Sequence, residues 1–308
     1  MSNPDIKFIA NRYIDRERWD QCIDQSPYGI AYAYSWYLDR ICKKWDALID
    51  GNYEFVLPLV NNRKYGISYI YQPFFTQQLG VFSKHPIDQN TINLFLNAIP
   101  KKFRLTDMQL NMGNTLPVEK FDIRENTTFH LDLGNEIAKI RANYHSNTRR
   151  NIHKAKQNKV SVIQFSDIRL FIEFTLINLK EKSPEIKSQH YLALSRIIDY
   201  ALFNDFGEIY VAQNFENKLL AAAFFLKTNG KCIYLAASSN DEGIEKSAMF
   251  LLIDTFIQNN AGSQLILDFE GSNIPGVARF YAGFGAVPQT YLAIHQNRLP
   301  SFLHLLKK

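Results

Sequence analysis

The sequence predicts an α/β protein of mixed α+β sheets, built as two tandem domains. Three observations carry this reading. The chain has 308 residues, about twice the roughly 150 of an ordinary domain. Strand-like runs alternate with helical runs along its whole length. An antiparallel meander, a helix and a further strand occur in that order in each half, although the residues themselves do not repeat, which predicts two copies of one domain plan.

The elements follow in order. All three tryptophans (Trp19, Trp36, Trp45) fall in the first 45 residues, and 31–42 reads as a helix packed by aromatics. Runs 46–50 and 53–60 flank an Asp-Gly turn, 65–72 and 77–82 follow as strands, and 86–99 reads as a helix. Strands 103–111 and 127–133 close a first domain over 1–134. The run 135–157 places Ile137, Ile140, Tyr144, Ile152 and Ala155 at 3.6-residue spacing, which predicts one bridging helix within 135–159. The second domain, 160–308, opens with a strand (160–165), helices over 167–180 and 187–203 and a strand at 208–214. Its hairpin turns at Asn229-Gly230, where a type I′ turn wants positive φ at both positions. A helix (244–260), a strand (264–270), a short helix (275–283) and a last strand (286–295) complete it.

Composition narrows the function. Apolar residues make up 46%, charged residues 21% and aromatics 14%, the balance of a folded globular chain and not of a solvated tail. The longest unbroken apolar stretch, eight residues from Leu219 to Leu226, is far short of the roughly 20 that cross a bilayer. The charged first 19 residues hold no signal-peptide core, so the expected location is the cytoplasm. Three widely spaced cysteines (Cys22, Cys42, Cys232) and seven scattered histidines offer neither a disulfide framework nor a metal-ligand pattern, and no metal is expected. Net charge is +5, yet 137–166 alone carries seven positive charges (Lys139, Arg141, Arg149, Arg150, Lys154, Lys156, Lys159) and no acid, leaving the remainder at −2. One basic element in a near-neutral protein points to a single anionic contact or to a solvated helix face.

Three segments resemble a known family. The run Ser146-Asn-Thr-Arg149-Arg150-Asn-Ile152-His-Lys154-Ala155, the run Leu267-Asp268-Phe269-Glu270-Gly271-Ser272, and Gly276-Val-Ala-Arg279-Phe280 with Phe284-Gly285-Ala286 are similar to motifs of the FemAB-like branch of the GCN5-related N-acyltransferase (GNAT) superfamily. The resemblance covers about 138–291, and the first half shares only the order of elements. Tyr281 stands where that branch usually has lysine. The resemblance implies two tandem GNAT-like acyltransferase domains, with the active cleft formed mainly by the second.

It also implies site residues. Strand alternation sets Asp268 and Glu270 on one face and Phe269 on the other, so two carboxylates stand at a strand's carboxyl end. Glu270, nearer the end, is the expected base, Asp268 the expected second catalytic carboxylate, whose nearness raises the base's pKa, or else a residue that caps a turn or pairs with a cation such as Arg279, and Tyr281 the expected acid or oxyanion donor. Asn147, Arg149, Arg150, Ser272 and Phe280 are the expected substrate contacts. The turn from Ser239 and Asn240 through Gly243 to Lys246 and Ser247 is where the fold holds the pyrophosphate of coenzyme A. The family's glycine-rich loop is absent there, and Asp241 and Glu242 equally suit a helix start capped by Asn240 or Asp241.

The implied reaction is acyl transfer from acyl-CoA (acetyl-CoA) to an amine of a small molecule or cell-envelope precursor. Two alternatives stand beside it: an aminoacyl-tRNA-dependent peptidyltransferase acting on a peptidoglycan precursor, with tRNA as partner, and a non-catalytic ligand-binding protein of the same fold.

Overall fold

A computed structural model describes residues 5–115, 121–271 and 273–300. The chain forms two compact units: one runs to Asn126 and resumes at Thr290, the other is Thr127–Gln289. Both crossings fall inside strands, so no linker marks them in the sequence. The basic stretch expected as a bridge at 135–159 lies within the second unit, and the end of the chain, expected in the second domain, belongs to the first.

In the first unit β1 (Lys7–Ile9) pairs with β2 (Trp45–Asp50), and β2, β3 (Phe55–Lys64) and β4 (Ile67–Ile70) form an antiparallel meander. Helices α1 (Arg16–Gln25) and α2 (Ser35–Ile41) precede it. Buried Trp19 of α1 packs on Trp45 at 4.9 Å and donates its indole N–H to Ala33 O. The short β5 (Phe82–Ser83) adds to β3, and α3 (Gln89–Asn97), capped by Asp88, carries the chain over to β6 (Phe103–Gln109), parallel to β4. Residues 293–297 of the chain's last strand close this sheet antiparallel to β6.

The second unit repeats the plan. The end of β7 (Asp122–Asp132) enters it, followed by α4 (Ile137–Ala142), α5 (Ser146–Gln157) and β8 (Ser161–Phe165). Helices α6 (Ile168–Leu179), capped by Asp167, and α7 (Ser188–Phe203) lead to the meander β9 (Gly207–Gln213), β10 (Leu219–Thr228) and β11 (Lys231–Ser239). Asn229 and Gly230 both take positive φ in the hairpin turn, as their identity predicts. Then come α8 (Asp241–Glu245), α9 (Ala248–Asn260), β12 (Ile266–Gly271) parallel to β11, α10 (Pro275–Ala282) and β13 (Val287–Asn297). Residues 128–132 of β7 lie antiparallel to β12, and β8 lies antiparallel to β9 at the other edge. Each unit is thus a meander, a crossover helix, a strand parallel to the last of the meander, and one antiparallel strand beyond it.

Aromatic packing holds α9 to this sheet. Phe256 stacks on Phe225 at 3.6 Å, with Tyr210 edge-on to both. Burying such a ring contributes about 1.5–3 kcal/mol.

Two expected helices are each divided. The single helix over 135–157 breaks at residues 143–145, because the His145 amide donates to Gly283 O across the fold and is lost to the helical ladder. The helix over 244–260 starts earlier, as α8, and is interrupted by Ser247 in the left-handed region (φ +58). Of the run 77–82, only Phe82 joins a regular strand, and Leu79 makes an isolated parallel bridge to Leu110.

Candidate functional site

The site is built by two parallel strands that part. Ladder pairing of β11 with β12 ends at Ile233 opposite Asp268, although β11 runs on to Ser239 and β12 to Gly271. Beside the opening, β12 also loses register with β7. Asp268 lies opposite His130 but Gly271 opposite Thr128, three steps against two. That one additional residue is a β-bulge, a device that re-aims a side chain. Glu270 takes the strain of it, with φ +59 in a region where a residue with a Cβ costs about 1–2 kcal/mol. The bulge breaks the simple two-residue alternation between Asp268 and Glu270, yet the charges of both carboxylates reach the Tyr281 hydroxyl.

Asp268 anchors the bulge. It is 2% exposed, accepts the Glu270 amide (2.9 Å) and the Thr128 hydroxyl (2.5 Å), and its other oxygen lies 3.2 Å from His130 Nε2, out of line for a hydrogen bond. Arg279, expected as a possible partner, is not among these groups. Lys231 is near enough for the carboxylate to raise its pKa, against burial, which is the larger effect and lowers it. The geometry makes Asp268 a positioning residue for Glu270, whose side chain is partly exposed.

Tyr281 comes from α10, which begins with Pro275 at its first position. Its ring stacks on Phe269 at 4.9 Å and meets Tyr234 edge-on at 6.2 Å. Burial, then the charges of Glu270 and Asp268, raise the pKa of its hydroxyl, so it stays protonated and able to donate. Phe280, expected at the substrate, is half-buried and packs on Phe250 at 4.7 Å and on Phe284 at 5.4 Å, against the core. Ser272 lies outside the described residues. Thr128, His130 and Tyr234 were not legible as site residues: each sits in an ordinary strand pattern, and only the register with β12 or the stack on Tyr281 gives it meaning.

The expected pyrophosphate turn is internally satisfied. Asn240 caps α8, accepting the Gly243 amide at 2.7 Å while its own amide group donates to Leu219 O. Gly243 packs so closely on the Leu220 carbonyl that an added Cβ would lie 2.0 Å from its oxygen. Lys246 and Lys218 both bind the Glu242 carboxylate (2.7 and 3.1 Å), and Ser247 donates to Asn151 Oδ1. Ser239 ends β11 opposite Ala221. The arrangement is that of a capped helix start with a carboxylate at its centre.

The basic motif divides between two directions. Arg150 donates to Asn147 Oδ1 along α5, whereas Arg149 Nη2 donates to the carbonyls of Arg141 and Ala142 and so closes the end of α4. Among the described residues no group of three or more His, Cys, Asp or Glu is placed to hold a metal, and no helix is long and apolar enough to cross a membrane. Burial pushes the thiols of Cys22 and Cys42 up to about 12, which leaves them poor nucleophiles.

No family model matches the chain, and no curated protein matches it. Solved structures do. FemX superposes with a TM-score of 0.68 at 12% identity, over 98% of this chain and 99% of its own. L-PGS from Bacillus licheniformis gives 0.55 at 12% identity over 95% of both chains. The C-terminal domain of a protein described as a lysylphosphatidylglycerol synthetase from Agrobacterium fabrum gives 0.57 at 10% identity, over 94% of this chain and 93% of that one. At such identities the likeness is one of fold: the chain shares the fold of FemX over nearly its whole length.

Proposed function

We propose that this protein transfers an aminoacyl group from an activated ester donor, such as aminoacyl-tRNA, to the amine of an acceptor. The observation that carries the reading is the opening between β11 and β12, with the Glu270 carboxylate on its bulge and the protonated Tyr281 phenol across from it. The acceptor amine attacks the ester carbonyl directly. Glu270 takes the ammonium proton, by contact or through one water, as the tetrahedral intermediate collapses. Tyr281 donates to the departing oxygen. A phenol held above its usual value of about 10 is poorly matched to a thiolate, whose acid has a pKa near 8.5, and better matched to an alkoxide. The likeness to a domain of a protein described as a lysylphosphatidylglycerol synthetase agrees with an aminoacyl donor.

Acyl-CoA is the second reading. It is favoured by the parted parallel strands, which offer unpaired backbone to a narrow extended donor, and opposed by Glu242 at the centre of the turn that would hold the pyrophosphate. Thermal unfolding with coenzyme A and with deacylated tRNA separates them, since a ligand that binds only the folded state raises the melting temperature. A shift with tRNA alone supports the ester donor. A shift with coenzyme A alone replaces it with the thioester. Silence with both, together with no protein-dependent consumption of aminoacyl-tRNA or acetyl-CoA, moves the protein to the class of non-catalytic binding modules.

A further inference from the structure

A second cavity, of about 270 Å³, lies in the second unit between α4, α5 and α9. Its floor is Tyr144, Ile152 and the Arg141–Asp254 pair, and its rim is Arg149, His153 and Lys156. The rim residues stand at i, i+4 and i+7 on α5, which is one face of a helix.

The charge in this cavity is uncompensated. Arg141 is engaged: Nε and Nη2 bind the two oxygens of Asp254 at 2.9 and 2.8 Å, and Nη2 also reaches Gln258, so this pair is neutral. Arg149 is fixed in place by the α4 carbonyls through Nη2 alone. Among the described residues its Nε and Nη1, the His153 ring and the Lys156 ammonium have no protein partner. No acid occurs anywhere in 137–166 to offset them. A cation held by its own backbone contacts loses little freedom on binding an anion.

Tyr144 is 4% exposed, and its hydroxyl is engaged with the Arg141–Asp254 pair at the cavity floor, which leaves the cations of the rim to meet a ligand.

We propose that this cavity binds a phosphate ester, held by Arg149, His153 and Lys156. A guanidinium edge, an imidazole and an ammonium are more donors than the two oxygens of a carboxylate can use, whereas a phosphate offers three or more acceptor oxygens. Both donor classes weighed above carry phosphate esters, and the site stands whichever of them is used.

The test is direct binding to the full chain by calorimetry, with adenosine 3′,5′-bisphosphate and a single-stranded RNA tetranucleotide as probes. The wild type is expected to bind at least one. Arg149→Ala and Lys156→Ala each weaken binding about tenfold, the worth of one charge-assisted contact near 1.4 kcal/mol. For RNA, each such loss also lowers the salt slope by about 0.7. Lys154→Ala, one residue off the rim on α5, leaves binding unchanged. Binding of the bisphosphate alone assigns a free nucleotide ester as the ligand, and binding of RNA alone assigns the RNA backbone. The inference falls if the wild type binds neither probe, if Arg149→Ala and Lys156→Ala bind like wild type, or if Lys154→Ala costs as much as they do. Donor consumption, assayed separately, reports on the reaction and not on this cavity.

Discussion

Replacing Asp268 by alanine tests whether the bulge is what prepares the site. The carboxylate is buried and accepts two hydrogen bonds, from the Glu270 amide at 2.9 Å and the Thr128 hydroxyl at 2.5 Å. A hydrogen bond to a charged group is worth about 1.5–3 kcal/mol, and removing the acceptor leaves both donors unsatisfied. A loss of about 3–5 kcal/mol is expected, a large share of the roughly 5–15 that holds a domain together. For a unit of this size that is a fall in melting temperature of roughly 6–20 °C. Hydrogen exchange gives the local reading: the Glu270 amide, bonded to Asp268, loses its protection in the alanine variant before the rest of β12 does. Asp268→Asn keeps an oxygen for that amide and should cost less, about 1–2 kcal/mol, while retaining more transfer activity than the alanine variant. An alanine variant within about 0.5 kcal/mol of wild type, with the Glu270 amide still protected, would refute the anchoring role.

Three further outcomes are expected. Glu270→Gln lowers donor turnover about 10²- to 10⁴-fold with little change in KM, and Tyr281→Phe costs less, as steady-state kinetics on folded protein would show. The Glu242 carboxyl, held down to about 2 by Lys246, Lys218 and Asn214, supplies stability that is complete above its ordinary value of 4.5 and lost as pH falls towards 2. Denaturant titrations across that window should find the acid loss shallower in Glu242→Gln. Gly243→Ala drives a Cβ to 2.0 Å from Leu220 O, so urea unfolding should register a loss of about 1–3 kcal/mol without any change in the chemistry at Glu270.

Much of the fold is local and was legible. Asn229-Gly230 fixes a hairpin by its backbone preference, Asp88 and Asp167 start helices by capping them, and the repeated order of elements predicts the duplicated plan. What escaped is what distant residues decide. The break between α4 and α5 depends on the Gly283 carbonyl, well over a hundred residues away from His145. The bulge at Glu270 exists because Thr128 and His130 hold the facing strand two steps apart where β12 takes three. The site was half legible for the same reason. Asp268, Glu270 and Tyr281 were singled out from a motif, but the anchoring of the Glu270 amide by Asp268 and the raised pKa of Tyr281 follow only from register, burial and neighbouring charge.

The two copies of the plan differ beyond their parallel pairs. In the first unit the ladder of β4 with β6 ends at Ile70 opposite Thr106, where β4 itself ends, while β6 runs on to Gln109. The strand edge beyond is taken up by the unit's own chain. The Gln109 amide donates to the Gln72 side chain at 3.1 Å, Leu79 donates to Gln109 O at 2.8 Å, and Asn111 donates to Leu79 O at 2.6 Å, with Leu79 itself 1% exposed. Unpaired strand edges are costly when buried, and this segment satisfies them. Among the described residues no such bridge joins β11 to β12. Sealing one copy stabilises the chain. The other copy has no such segment between β11 and β12 among the described residues, and it is there that the bulge sets Glu270, which is why the proposed chemistry is placed in the second unit.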